Sequence, residues 1–235
     1  MATASESIKS PSVPGSRFLA LWQNSVGKKA VMAVTGLVLF GFTLVHMAGN
    51  LKVFAGAEAL DRYAELLRVS PPILWTARTV LLASLFLHVV AGVQLWLAKR
   101  EARGTPYQDW RPTTSSVASR SMMVSGALLL LFVTGHLMDL TLGTQGVAAA
   151  GFEHGRVFAN VVRSLGRGAV GVAYVVAVVA LGFHLWHGLW SVTQSLGLAH
   201  RGVSAAIRRV AILLAVVLAV GFSAVPIAVL FGIVS

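Results

Sequence analysis

Five apolar runs, each near or above the roughly 20 residues that carry a helix across a bilayer, govern what this chain can fold into. They cover about residues 29–50, 73–97, 121–142, 168–195 and 207–232 of 235. With 56% hydrophobic and only 11% charged residues, the chain falls outside the range of water-soluble domains. A spanning segment must satisfy its backbone polar groups internally, which runs of this length do as helices. The expected fold class is therefore all-α: an integral membrane bundle of five transmembrane helices over residues 29–235, preceded by a polar tail over residues 1–28.

The tail carries Pro11, Pro14 and Gly15 and lacks an apolar stretch leading to a small-residue cleavage site, so it reads as a mature tail and not a signal peptide. Charge sets the expected orientation. The tail with its junction, the 98–120 loop and the 196–209 loop hold 12 of the 19 Lys and Arg, against 7 on the other side. That bias predicts an N-in, C-out, multi-pass topology, with the cell's inner (cytoplasmic) membrane as the expected location. The formal charge of +11 then fits acidic lipid head groups or an acidic patch on a cytoplasmic partner. Nucleic acid is not expected as a partner, because the basic residues lie in short loops between spans. With no cysteine in the chain, disulfides, iron–sulfur ligation and c-type haem attachment are excluded.

Four histidines, His46, His88, His136 and His184, fall one apiece on four of the runs. An imidazole in a bilayer core is costly unless it is paired, hydrogen-bonded or bound to a metal. At a rise of about 1.5 Å per residue, His46 and His136 lie roughly 23 to 26 Å from the inner edge of outward-going helices, and His88 and His184 about 23 Å from the outer edge of inward-going ones. Pairing the first helix with the third and the second with the fourth brings the imidazoles level at two heights some ~15 Å apart. Two stacked bis-histidine sites suit low-spin haem b, which takes axial imidazoles from opposite faces. Zinc would gather its ligands at one height. Gly49, Gly92, Gly135, Gly182 and Gly188 are candidates for letting a porphyrin approach the backbone.

Several segments carry a family resemblance. NSVGKKAVMAVTGLVLFGFTLVHMAGNL from Asn24, HVVAGVQLWLAKREARG in the second run, YQDWRPTTSSVASRSMMVSGALLLLFVTGHLMDL around the third and FHLWHGLWSVTQSLG in the fourth resemble the di-haem cytochrome b membrane anchor of succinate dehydrogenases and fumarate reductases. The resemblance covers nearly the whole chain after about residue 20. It implies two b haems, a quinone site, and separate flavoprotein and iron–sulfur subunits that carry out the dicarboxylate chemistry. By position, His46 and His136 would ligate the distal haem iron and His88 and His184 the proximal one, the same pairing that depth suggests. His187 lies one turn from His184 on nearly the same face and is a candidate for a propionate or supporting contact to the proximal haem, or equally an interfacial histidine. Some fumarate-reducing members carry a glutamate two residues before the fourth-helix ligand. Gly182 stands there in this chain, which puts a transmembrane proton path of that kind in doubt.

Haem propionates call for cations or hydroxyls at the membrane surfaces. On the inner side the candidates are Ser25, Lys28, Lys29, Ser119, Arg120 and Ser121, which serve equally as helix caps and positive-inside anchors. On the outer side they are Lys52, Arg62, Arg68 and Arg78. Asp61 and Glu65, in the outer loop just after His46, are candidates for proton exchange with a quinone, menaquinone by resemblance, and Asp139 is a further one. His154 and His200 read as solvated loop residues. The alternatives are a di-haem, quinone-reactive cytochrome b of another respiratory complex, or a non-redox membrane transporter. In bc-type proteins each of two helices carries two ligands, whereas here they fall on four.

Overall fold

The computed structural model describes residues 22–102, 117–198, 200 and 202–235. The greater part of the N-terminal tail and the loop that begins the third quoted segment lie outside the described residues. All regular structure among the described residues is helical, and five helices are long and apolar enough to span a membrane.

The first of them, α1, runs over Ser25–Asn50 and begins where Asn24 Oδ1 accepts a hydrogen bond from Gly27 N at 2.7 Å. This N-cap satisfies one of the helix's orphan donors, so the helix starts four residues earlier than the hydropathy run suggests, and Ser25 and Lys28 belong to its first turn. A 3₁₀ turn, Leu51–Ala55, leads into the short amphipathic helix α2, Ala57–Leu66. Pro71 and Pro72 open α3, Pro71–Glu101, where the missing N–H groups cost nothing. Its C-terminal turn carries Lys99 and Arg100, the latter over the Trp96 ring at 4.8 Å, as expected of cations at the lipid–water boundary.

After the short α4, Val117–Arg120, comes α5, Met122–His136, which passes directly into a π-helical turn over Leu137–Thr141. Helix α6, Val157–Leu165, is short, with Asn160, Val161, Ser164 and Leu165 buried, and α7, Gly168–Ser195, and α8, Ser204–Leu230, complete the spans. The end of the bundle at which α1 begins is the near end and the opposite one the far end. Large apolar side chains such as Leu37, Phe42, Phe86, Leu131 and Val220 are exposed along the spans, which is how a helix meets lipid.

The packing orders the spans. Helix α3 lies on α1, α1 on α7, and α5 on α7, while α8 lies behind against α7 and α1. Four spans therefore form a ring in the order α3, α1, α7, α5, and the α3–α5 side lacks extensive packing among the described residues. One apolar cluster, Leu185, Ala215 and Leu218 with Phe40, Leu44 and Met47 against it, holds α1, α7 and α8 together. A second cluster at the far end unites Val53, Leu60, Val161, Leu165, Val225 and Val229. It roofs the bundle with α2 and α6. Asp61, on α2, ties the two roof helices by accepting a hydrogen bond from Phe158 N in the first turn of α6 at 2.8 Å.

Candidate functional site

The ring of spans places the four histidines on its two diagonals. His88 on α3 faces His184 on α7 with ring centroids 6.3 Å apart, and His46 on α1 faces His136 on α5 at 5.9 Å. All four are partly buried. The two pairs occupy different levels. Gly36 meets the ring of His88 and Gly126 that of His184, and the far histidine on each of those helices, His46 or His136, comes ten residues later, about 15 Å along the axis.

The near pair sits in two matching notches. Thr35 and Gly36 on α1 receive His88. Its Nδ1 lies 3.2 Å from the Met32 carbonyl oxygen and 3.3 Å from Thr35 Oγ1, and a Cβ on Gly36 would stand 3.2 Å from His88 Cε1. Ser125 and Gly126 on α5 receive His184, with Nδ1 3.2 Å from Ser125 Oγ and a notional Gly126 Cβ 3.6 Å from Cε1. A carbonyl oxygen can only accept, so His88 Nδ1 carries the proton. Thr35 donates its own hydroxyl proton to Val31 O at 2.7 Å and Ser125 donates to Met122 O at 3.2 Å, which leaves both hydroxyl oxygens free to accept from an imidazole. With Nδ1 protonated, Nε2 of each near histidine is the nitrogen with the free lone pair.

The far pair is held differently. His136 Nδ1 lies 3.1 Å from the Tyr174 hydroxyl. His46 is stacked on Phe42 at 5.1 Å and flanked by Phe222 at 5.9 Å, with no hydrogen bond to its ring among the described residues. Neither the hydroxyl–glycine notches nor Tyr174 stands out in the apolar pattern of the sequence. A signal existed: Thr35–Gly36 precedes His46, and Ser125–Gly126 precedes His136, by the same spacing.

A metal–imidazole bond is about 2 Å long, so two rings sharing one ion from opposite sides have centroids about 6 Å apart. Both pairs have about that separation, and Nδ1 of three of the four rings is tied to a protein oxygen, an arrangement like the one that orients metal-binding histidines. No group of three or more His, Cys, Asp or Glu able to hold an ion occurs among the described residues, so the donor sets are pairs. Opposed imidazoles with an apolar surround suit a flat macrocyclic iron centre that passes electrons without binding substrate.

The other candidates are dispersed. Gly135 and Gly188 face open space, and a Cβ on Gly92 would come no closer than 4.0 Å to Met32 Sδ. Gly49 and Gly182 serve protein contacts instead: the first receives the Tyr63 ring and the second lies against Ala219. Asp139 is buried, accepts a hydrogen bond from Ser164 Oγ and pairs with Arg167 at 3.0 Å, so it is a structural link and not a carboxylate open to exchange. Glu65 is exposed on α2. Ser25 and Lys28 lie at the start of α1, and Ser119 and Arg120 on α4, which packs against α7. Ser121 donates to Ala118 O at 3.2 Å. At the far end Lys52 lies over Tyr63 at 5.5 Å and Arg78 over Trp75 at 5.0 Å. His187 is partly buried on α7, and His154 and His200 are exposed.

Residues 98–223, from the last turn of α3 through most of α8, match the family model described as the succinate dehydrogenase/fumarate reductase transmembrane subunit. The chain belongs to that family. This makes it a multi-pass membrane anchor subunit of a succinate dehydrogenase or fumarate reductase. The matched region of the anchor contains His136, Tyr174, His184 and His187, while His46 and His88 lie before it. No curated protein and no solved structure matches the chain.

Proposed function

We propose that this anchor subunit binds two b haems, one between His88 and His184 and one between His46 and His136, and relays electrons between an iron–sulfur subunit at its near end and membrane quinone, menaquinone by resemblance. The observation that carries this reading is the pair of opposed imidazoles on each diagonal of the ring, at two levels, with Nδ1 engaged on His88, His184 and His136. Each haem, when bound, supplies reversible one-electron chemistry at iron. The chain's own residues do the rest: the near notches fix the His88 and His184 rings, the spans exclude water, and α8 closes the side behind His46 through Phe222. With haem held at both pairs, His88 and His184 would carry the centre nearer the iron–sulfur partner and His46 and His136 the one farther from it, so that the two together would offer one-electron chemistry along the depth of the bundle.

The dicarboxylate chemistry belongs to flavoprotein and iron–sulfur partners, which dock at the near end. That end is the cytoplasmic one, by the distribution of Lys and Arg, and the membrane is the cell's inner membrane. Ser25, Lys28, Ser119 and Arg120 fall at that end, where they can meet propionates or the partner. Lipid covers the exposed apolar faces. A pyridine haemochrome assay on the purified complex tests the reading: two haem b per copy of this chain are expected, with the low-spin spectrum of bis-imidazole iron. One haem or none overturns it.

A further inference from the structure

We propose that Tyr174 is a positioning residue of the far imidazole pair, its hydroxyl holding His136 through Nδ1 and thereby fixing which nitrogen His136 offers to the ion. The inference rests on the di-haem reading above and adds to it a residue outside the ligand set. Tyr174 stands on α7 ten residues before His184. The same helix thus carries a ligand of the near pair at one level and the tether of the far pair at the other.

The tether is constrained. The Tyr174 ring meets Phe132 edge-to-face at 4.9 Å and an interplanar angle of 86°, and packs against the far-end apolar cluster. Its hydroxyl therefore reaches His136, 3.1 Å away, from a ring with little freedom to move. The other far ring, His46, is held by aromatic contacts and by no hydrogen bond among the described residues, whereas both near rings are hydrogen-bonded. Orientation of the far pair by hydrogen bonding accordingly falls to Tyr174.

A phenol can donate or accept. Ligation through Nε2 requires that Nδ1 keep the proton, so the phenol oxygen accepts it, which strengthens His136 as a donor to iron. A stronger donor favours the oxidised ion. Removing the hydroxyl alone should therefore raise the midpoint potential of the far centre and leave the near one where it was.

The test is Tyr174→Phe in the assembled complex, with haem content, low-spin EPR and potentiometric titration measured beside the unsubstituted complex. The far centre is assigned in the His184→Ala background. The expected result is two haems per chain, a positive shift of the far midpoint, a moved far-centre EPR signal and an unchanged near centre. Selective loss of the far haem would support the same role. Two bound haems with both midpoints and both EPR signals unmoved would overturn the proposal while leaving the di-haem reading intact. Fewer than two haems in the unsubstituted complex would overturn that reading and this proposal with it.

Discussion

Arg167 Nη2 reaches Asp139 Oδ1 at 3.0 Å, joining the N-cap of α7 to the π-helical turn that follows His136. Asp139 is 4% exposed, and the guanidinium also donates to Val147 O and Ser164 Oγ. The π turn widens the backbone, as such turns often do beside functional residues, and it is here that Asp139 is held toward α7. Removing the arginine would leave a buried carboxylate with Ser164 as its remaining hydrogen-bond donor. Breaking a buried pair in this way costs several kcal/mol, and because Arg167 is itself over a third exposed we expect the loss to be smaller, about 1–3 kcal/mol.

Arg167→Ala should therefore unfold at a lower temperature in detergent than Asp139→Asn, which keeps an amide for Ser164 and leaves no buried charge. Thermal melts of the two variants check this. If Asp139→Asn is the less stable, the buried charge is not what Arg167 offsets.

The two histidines of α7 should separate by substitution. His184 stands 6.3 Å from His88, with its Nδ1 on Ser125, whereas His187 is one turn nearer the near end of the helix. His184→Ala is expected to remove or convert the near haem and spare the far one. His187→Ala should keep both haems and at most move a potential. Spectra of the two variants decide the matter, and loss of a haem in His187→Ala alone would reverse the assignment.

The glycines of the two notches should not respond alike. A methyl on Gly36 would stand 3.2 Å from His88 Cε1, tighter than ordinary contact, while one on Gly126 would stand 3.6 Å from His184 Cε1. Overpacking of this kind costs about 1–3 kcal/mol when the neighbour cannot move, and His88 is held by the Met32 carbonyl. Gly36→Ala should broaden or shift the near-centre spectrum or reduce its haem occupancy. Gly126→Ala should leave it close to normal. Equal effects would mean that the His88 ring can yield.

The spans were legible because bilayer thickness sets helix length, and the meeting of His46 with His136 and His88 with His184 because a constant rise per residue converts sequence position into depth. Helix ends were less so. Asn24 starts α1 before its apolar run, and the cationic end of α3 extends beyond its own. Helix α6 is invisible to hydropathy because it is too short to span and carries polar residues such as Asn160, Arg163 and Ser164 among its apolar ones, although Val157, Phe158, Val161, Val162 and Leu165 recur at helical spacing. The roles of Gly49, Gly182 and Asp139 depended on which side chains arrive from other helices, Tyr63, Ala219 and Arg167, and no periodicity along one segment contains that. Tyr174 was hidden for the same reason.

Quinone chemistry should be found at the far end, and Glu65 gives the sharper test of it. Two centres stacked from near to far end would be a superfluous relay if quinone reacted only beside the iron–sulfur partner. Helix α2 roofs the far pair: its Tyr63 ring lies against Gly49, one turn beyond His46, and Glu65 on the same helix is exposed. Asp61 already accepts a hydrogen bond from Phe158 N, so Asp61→Asn, which retains an oxygen there, reports on charge with little disturbance of the roof. Glu65→Gln should slow quinone turnover while both haem spectra and dye-coupled succinate oxidation stay normal, because only the exchange of protons with quinone has lost its carboxylate. Asp61→Asn should do the same to the extent that its second oxygen serves that exchange. The competing site is the near end around Trp22, Ser25 and Lys28. An inhibitor located there, with turnover unimpaired in both variants, would defeat the far-end assignment.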